Sequence, residues 1–477
     1  TNTTNTQIMK ISTKRTITSP AFLVLLLFAV RLIGITNPPL EKGHSWRQCT
    51  GLMVARNFYE GDDNIMYPRV DEAGAGTGII GMEFPLLYHL HYRMASVFGY
   101  THWYGRLINL IISSLGLWYF SRVLLRLRCS KRMAWVATLA LGVSIWFAFS
   151  RKTMPDTFSC SLMLVAIYYA VCYFEDNKIV NLLLYSFLAS LALLSKIPAG
   201  ILLTWLIPIG ILKGTRHTGT GIVLASIIPL LLTYLWYYRW NPYLAVEYGN
   251  WYNIGKSFGE GIKDIATHLP ETLKHFYFHA FCGYILTLLS VVGLVLAFVK
   301  RDNLLLGIGG TTLLVFIVYI LKSGFYFYHH NYYIIPFVPV MAMFCAFALE
   351  SVKPKWLLLL LPLVGAIECT ANQQHDFFVP KSEAYKASLE IIMDDIAATD
   401  DLIAVNGNSN PQLIYFAHRK GWNCSDEQIA SSDFRNTMKE QGCRWFVVDK
   451  HACDWRNNEQ TPTVENDDFI IYSTPQQ

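Results

Sequence analysis

Apolar runs recur from Pro20 to Cys369, and no other property of this chain restricts its fold as tightly. Each is about 15 to 22 residues long, enough for a helix to cross a hydrocarbon core of roughly 30 Å. Hydrophobic residues make up 53% of the chain and charged ones only 15%, the composition of a protein whose main solvent is lipid. Spans are expected near 20–36, 103–120, 133–149, 157–174, 180–195, 197–212, 219–239, 277–299, 303–321, 332–349 and 355–369. That is about eleven, with several of the middle ones short enough to be tilted or broken. The first is read as a retained span, because no small-x-small cleavage site follows it before Asn37.

Lysine and arginine collect at alternate ends of these runs: Lys10, Lys14 and Arg15, then Arg122 to Arg132, Lys213 and Arg216, Lys300 and Arg301, Lys353 and Lys355. The positive-inside rule then sets the N-terminus on the cytoplasmic side of the membrane. The segments 37–101 and 241–275 and everything after the last span fall outside. The net charge of +5 is mostly this topology signal and carries no message about nucleic acid.

Two further features divide the chain. Residues 37–101 form a polar and aromatic segment far longer than a connection between two spans requires, which marks a site built at the membrane face. From about His375 the pattern becomes that of a small α/β unit. Residues 382–397 and 433–441 have helical spacing, while 401–405, 444–448 and 469–472 are short apolar strands. The expected fold class is therefore a polytopic α-helical membrane protein, residues 1–374, followed by a soluble extracytoplasmic α/β domain, 375–477. The glycine-bearing loop Asn406–Pro411 lacks the spacing of a dinucleotide fingerprint. Among Cys424, Cys443 and Cys453 at most one disulfide can form, and spacing does not choose it.

A second set of charges is not explained by topology. Arg151, Lys152 and Asp156 join the third and fourth runs, Lys196 joins the fifth and sixth, and His330 and Tyr332 open the tenth. These lie on the side that should be poor in cations. Together with Arg47 they suit a lipid phosphate, whose charge grows when a glycosyl–phosphate bond breaks. The plainer reading of each is a side chain snorkelling to headgroups.

Transfer of a sugar to a hydroxyl also needs a carboxylate to accept the proton. Glu83, followed by Phe84, Pro85 and Leu86, is expected to be tucked against the membrane surface and partly desolvated, which raises its basicity. Asp71 precedes a glycine-rich stretch, 73–78, readable as a mobile lid or as a simple loop. Asp156 is the third candidate and His44 a fourth, although a lone histidine beside Trp46 is more often a packed interface residue. No His/Asp spacing argues for a metal, and no cofactor is expected; His329 and His330, being adjacent, point in different directions.

These residues resemble the GT-C integral-membrane glycosyltransferases, specifically their protein-mannosyltransferase-like and aminoarabinose-transferase-like branch. The resemblance lies in His44–Gln48, Ala55–Phe58, Glu83–Tyr88, Arg151–Asp156, Leu194–Pro198, His330–Pro336 and Leu413–Trp422, in this order. It implies an enzyme that takes a hexose or pentose from a polyprenyl-phosphate donor, with inversion, and passes it to a lipid, glycan or protein acceptor outside the cytoplasmic membrane. It also implies that Glu83 lines the site and that Lys196 contacts the donor phosphate. The chain departs from the family at His44–Trp46, where many relatives carry an acid that acts as base. A transporter or flippase of a lipid-linked sugar, or a lipid-linked glycan polymerase or ligase, are the competing readings; charges gathered at one face rather than at the bilayer midplane favour the transferase.

Overall fold

The computed structural model describes residues 19–249, 255–351, 356–458 and 460–474. Lys10, Lys14, Arg15, Lys353 and Lys355, on which part of the orientation rests, lie outside the described residues. The chain divides into two compact units. One comprises the segment up to Ile35, Arg106–Tyr238 and Asn253–Gln374; the other comprises Thr36–Gly105, Arg239–Tyr252 and His375–Gln477.

The first unit is helical. A helix stands at every position where a span is expected, including Pro20–Arg31, Pro155–Asp176, Ile179–Ser195 and Asn303–Ser323. Among the described residues of the whole chain, four helices are long and apolar enough to cross a membrane: Tyr104–Arg126, Pro155–Asp176, Arg216–Tyr248 and Asn303–Ser323. Local chemistry sets the boundaries. Ser19 accepts a hydrogen bond from the Phe22 amide ahead of Pro20, and Ser130 does the same from Met133 for the helix Lys131–Val143. Asn177 takes a left-handed conformation, φ 51°, and ends Pro155–Asp176, so that Ile179–Ser195 turns back against it as a helical hairpin. Small residues let the helices approach: a Cβ added at Gly116 would lie 2.4 Å from that of Ser161.

Several boundaries differ from those expected. The third run breaks at Ser144, whose hydroxyl bonds the Leu141 carbonyl, and resumes only as Trp146–Phe149. The eighth begins at Ile285 rather than near 277, because His275–His279 is wound as a wider turn. The segment after 241 is not an open loop, since helix continues through Asn241–Tyr248 and reappears as Phe258–Thr267.

In the second unit the long polar segment is itself partly helical. Ser45–Glu60 is buried nearly all round, every residue from Gln48 to Arg56 being buried, and Leu86–Phe98 follows Pro85. The C-terminal part forms a five-stranded sheet of β1 Leu402–Val405, β2 Gly421–Asn423, β3 Cys443–Asp449, β4 Val464–Glu465 and β5 Phe469–Ser473, in the order β2-β1-β3-β5-β4. β1 runs parallel to β2 and β3, while β5 is antiparallel to β3 and β4. Central strand β3 buries Phe446, Val447 and Val448 in succession, as a strand covered on both faces does. Cys424 and Cys443 lie in the core on one face with Ile429 and Phe446. No disulfide joins them or Cys453, and burial pushes both core thiols up to about 12.

The glycine-rich stretch is fastened to this sheet. The Gly421 carbonyl accepts from the Ala73 and Gly74 amides at 3.1 and 2.7 Å, and the Gly421 amide donates to the Asp71 carbonyl at 3.0 Å. Gly74 has φ +54°, and a Cβ there would meet the Trp422 indole nitrogen at 2.6 Å. Of the two readings of 73–78, the simple loop is the one the structure supports.

Candidate functional site

Two clusters carry the residues singled out in the sequence, one in each unit. In the helical unit the hairpin is the positioning device. Asp156 stands in the first turn of Pro155–Asp176, and Lys196 follows the last residue of Ile179–Ser195, extended at φ −165° between that helix and the 3-10 turn Ile197–Trp205, which has Pro198 in its first turn. A hairpin brings the start of its first helix to the end of its second. Lys196 Nζ accordingly lies 3.5 Å from Asp156 Oδ1. Each charge also complements its own helix dipole, the carboxylate at an N-terminus and the ammonium at a C-terminus.

Aromatic rings complete this cluster. Lys196 Nζ lies 5.9 Å from the centre of the Tyr332 ring, His330 stacks on Tyr332 at 5.4 Å, and Phe149 meets Tyr332 at 5.6 Å. Lys152 Nζ is 5.5 Å from the Phe149 ring. The rings of His329 and His330 are 81° apart, as adjacency required.

Arg151 has a different setting. It is buried, and its guanidinium donates to the Arg31 and Ile33 carbonyls at 3.1 and 2.6 Å, closing the C-terminal end of Pro20–Arg31. The turn carrying these cations is held by a residue the sequence reading missed. Asn109, fully buried, donates to the carbonyls of Phe149, Lys152 and Met154 at 3.1, 2.8 and 3.2 Å. An asparagine within an apolar run was the available signal.

In the second unit Arg47 pairs with Glu83, and the Tyr88 hydroxyl donates to the same carboxylate oxygen at 3.0 Å. Glu83 precedes Pro85 and its helix and keeps 12% of its side chain exposed. Tyr88 ends one of the motifs read in the sequence but was given no role there, although its place one turn into the Pro85 helix carries it back towards Glu83. His44 precedes Ser45–Glu60 in a left-handed conformation, φ 58°.

Asp71 serves another purpose in this unit. Its two oxygens accept from Arg56 at 2.8 Å and Asn57 at 2.7 Å, and Arg56, fully buried, also donates to the Tyr415 carbonyl at 2.9 Å and stacks on that ring at 4.6 Å. Beside it, His418 lies 3.4 Å from Glu390 and 2.7 Å from Glu60, contacts that raise its pKa to about 9. Among the described residues no group of three His, Cys, Asp or Glu side chains is arranged to hold a metal ion.

With its apolar helices and small sheet, the chain is similar in fold to integral-membrane glycosyltransferases of the GT-C type. Residues 84–238 match the family model described as dolichyl-phosphate-mannose-protein mannosyltransferase. ArnT from Cupriavidus metallidurans, solved bound to undecaprenyl phosphate, is similar at 11% identity with a TM-score of 0.59, over 95% of this chain and 99% of that one. The Archaeoglobus fulgidus oligosaccharyltransferase, solved with zinc and sulfate, is similar at 12% identity with a TM-score of 0.60, over 89% of this chain and 68% of that one. No curated protein matches the sequence.

Proposed function

We propose that this protein is an inverting glycosyltransferase that moves a hexose or pentose from a polyprenyl-phosphate donor to an envelope acceptor at the outer face of the cytoplasmic membrane. The observation that carries the reading is the Asp156–Lys196 pair under Tyr332 and His330. An ammonium held at a helix end by one carboxylate and one aromatic ring is a fixed point charge for a phosphate on which charge grows as the glycosyl bond breaks. Lys152 adds to that field, while Arg151 shapes the turn that presents it.

Glu83 is the proposed base. Arg47 and Tyr88 fix its carboxylate, so that it meets the acceptor hydroxyl in one orientation. Asp71, with both oxygens engaged by Arg56 and Asn57, suits a structural role better. His44 and Asp156 remain alternatives for the proton. In this reading all eleven expected spans cross the membrane, the N-terminus is cytoplasmic, and the unit containing Glu83 is outside. Support for the chemistry comes from the mannosyltransferase family match and the likeness in fold to a protein solved with undecaprenyl phosphate. The test is incubation of purified protein in lipid nanodiscs with polyprenyl-phosphate sugars, following donor loss by mass spectrometry. Donors left intact with every sugar and acceptor tried, in protein shown to be folded, would sink it.

A further inference from the structure

The second unit contains a polar pocket of about 310 Å³ apart from the Arg47–Glu83 pair, built from three separate stretches of chain. Ser45 and Trp46 come from the start of Ser45–Glu60, Glu383 and Lys386 from the turns after Pro380, and Gln412 from the start of the short helix Gln412–Phe416; buried Glu41 completes the lining. Lys386, almost fully buried, donates to Glu383 at 2.6 Å and to the Gln412 side-chain oxygen at 3.0 Å. The Gln412 amide group in turn donates to Ser45 Oγ at 3.0 Å. These bonds lock the rotamers of the polar groups before any ligand arrives. Trp46 lines the pocket and is 49% exposed, so its indole is accessible to a ligand.

We infer that this pocket is the subsite for a pyranose ring of the acceptor, an inference that rests on the glycosyltransferase reading above. A flat indole beside fixed carboxylate, amide and ammonium groups matches the two sides of a sugar: an apolar C–H face that stacks on an aromatic ring, and a rim of hydroxyls that both donate and accept. Charge argues against a phosphate. Glu41 and Glu383 offset Lys42 and Lys386 in the lining, whereas an anion site needs a cationic excess. Volume argues against a long glycan inside the pocket, because it sits at the lower end of the range for small-ligand sites and holds one ring. Trp46 directly precedes Arg47, so a sugar stacked there is bound by the same helical turn that carries the partner of the proposed base.

The experiment uses the full chain in nanodiscs. Saturation-transfer NMR with the methyl pyranosides of glucose, mannose, galactose and N-acetylglucosamine reads binding, and donor loss with and without each glycoside reads transfer. At least one glycoside is expected to show transfer to its ring C–H protons, weakened tenfold or more in Trp46→Ala and in Glu383→Gln, with donor KM unchanged in both variants. Binding unaltered in both variants, or no glycoside binding to the wild type while a hydroxyl-bearing peptide does, overturns the inference. Because water can serve as acceptor, donor loss without any glycoside tests the glycosyltransferase reading separately. A chain that binds pyranosides through Trp46 yet never consumes donor would keep the saccharide site and discard that reading.

Discussion

Asp156 and Lys196 are forty residues apart in sequence and 3.5 Å apart in space, because each occupies the same end of one helical hairpin. Removing the cation leaves the carboxylate facing any incoming phosphate. Lys196→Ala is expected to lower kcat about 10²-fold with a smaller rise in donor KM, and Lys196→Arg to recover part of the loss. Steady-state kinetics over a range of donor concentration checks this, and full activity of the alanine variant would refute the phosphate role.

Arg151→Ala is expected to behave differently. Its guanidinium closes the carbonyls of Arg31 and Ile33, so the variant should lose about 1–3 kcal/mol of stability. Thermal unfolding monitored in detergent, compared with Lys196→Ala, separates the two. Equal melting temperatures for both variants would contradict the structural assignment.

Glu83→Gln keeps size and hydrogen-bonding capacity but cannot accept a proton. Turnover should fall on the order of 10²-fold or more, with donor binding little changed. Asp71→Asn is the matched comparison. It leaves buried Arg56 without a charged partner, and should cost stability on the order of 3–5 kcal/mol before it costs chemistry. Near-normal rates for Glu83→Gln across the pH range would move the base to His44 or Asp156.

His418 gives the second unit a pH dependence of known sign. Glu390 and Glu60 raise its folded pKa to about 9, above the unfolded value near 6.5. The stabilisation is therefore fully present below about pH 6.5 and is lost as pH rises through about 9. Melting temperature should fall between those limits in the wild type, whereas His418→Gln should start lower and stay flatter. Parallel curves for the two proteins would exclude the histidine as the source.

Orientation is checked by labelling with a membrane-impermeant thiol reagent. Gly76→Cys, in an exposed part of the pinned loop, should react from outside, and Arg216→Cys should not. The half-buried Cys129, Cys282 and Cys453 need prior replacement. Reaction at 216 from outside would reverse the proposed topology.

What could be read in the sequence follows the range of the interactions involved. Helices were legible because their apolar runs are local, and β1, β3 and β5 because Leu402–Val405, Cys443–Asp449 and Phe469–Ser473 are dense in branched and aromatic residues. β2 was missed: Gly421–Asn423 has no alternation and is a strand only because β1 lies beside it. Lys196, Asp156 and Tyr332 were each recognisable as chemistry in the wrong place, but their meeting depends on a hairpin and on a third segment more than a hundred residues later. The roles of Asn109 and Tyr88 escaped because they lie wholly in what the two side chains hold, three carbonyls and one carboxylate oxygen. The occupation of Asp71 by Arg56 was equally invisible.

The bond from Arg56 to the Tyr415 carbonyl spans 359 residues. At a synthesis rate of about 5–20 residues per second, the partner emerges some tens of seconds after the arginine. Throughout that interval the helix Ser45–Glu60 lacks the carbonyl that Arg56 bonds, and the 71–74 strip lacks the strand it is stitched to. The polar segment is thus made early and finished late, and a nascent chain stalled before residue 415 would present Arg56 and the Gly74 turn unsheltered to chaperones and proteases.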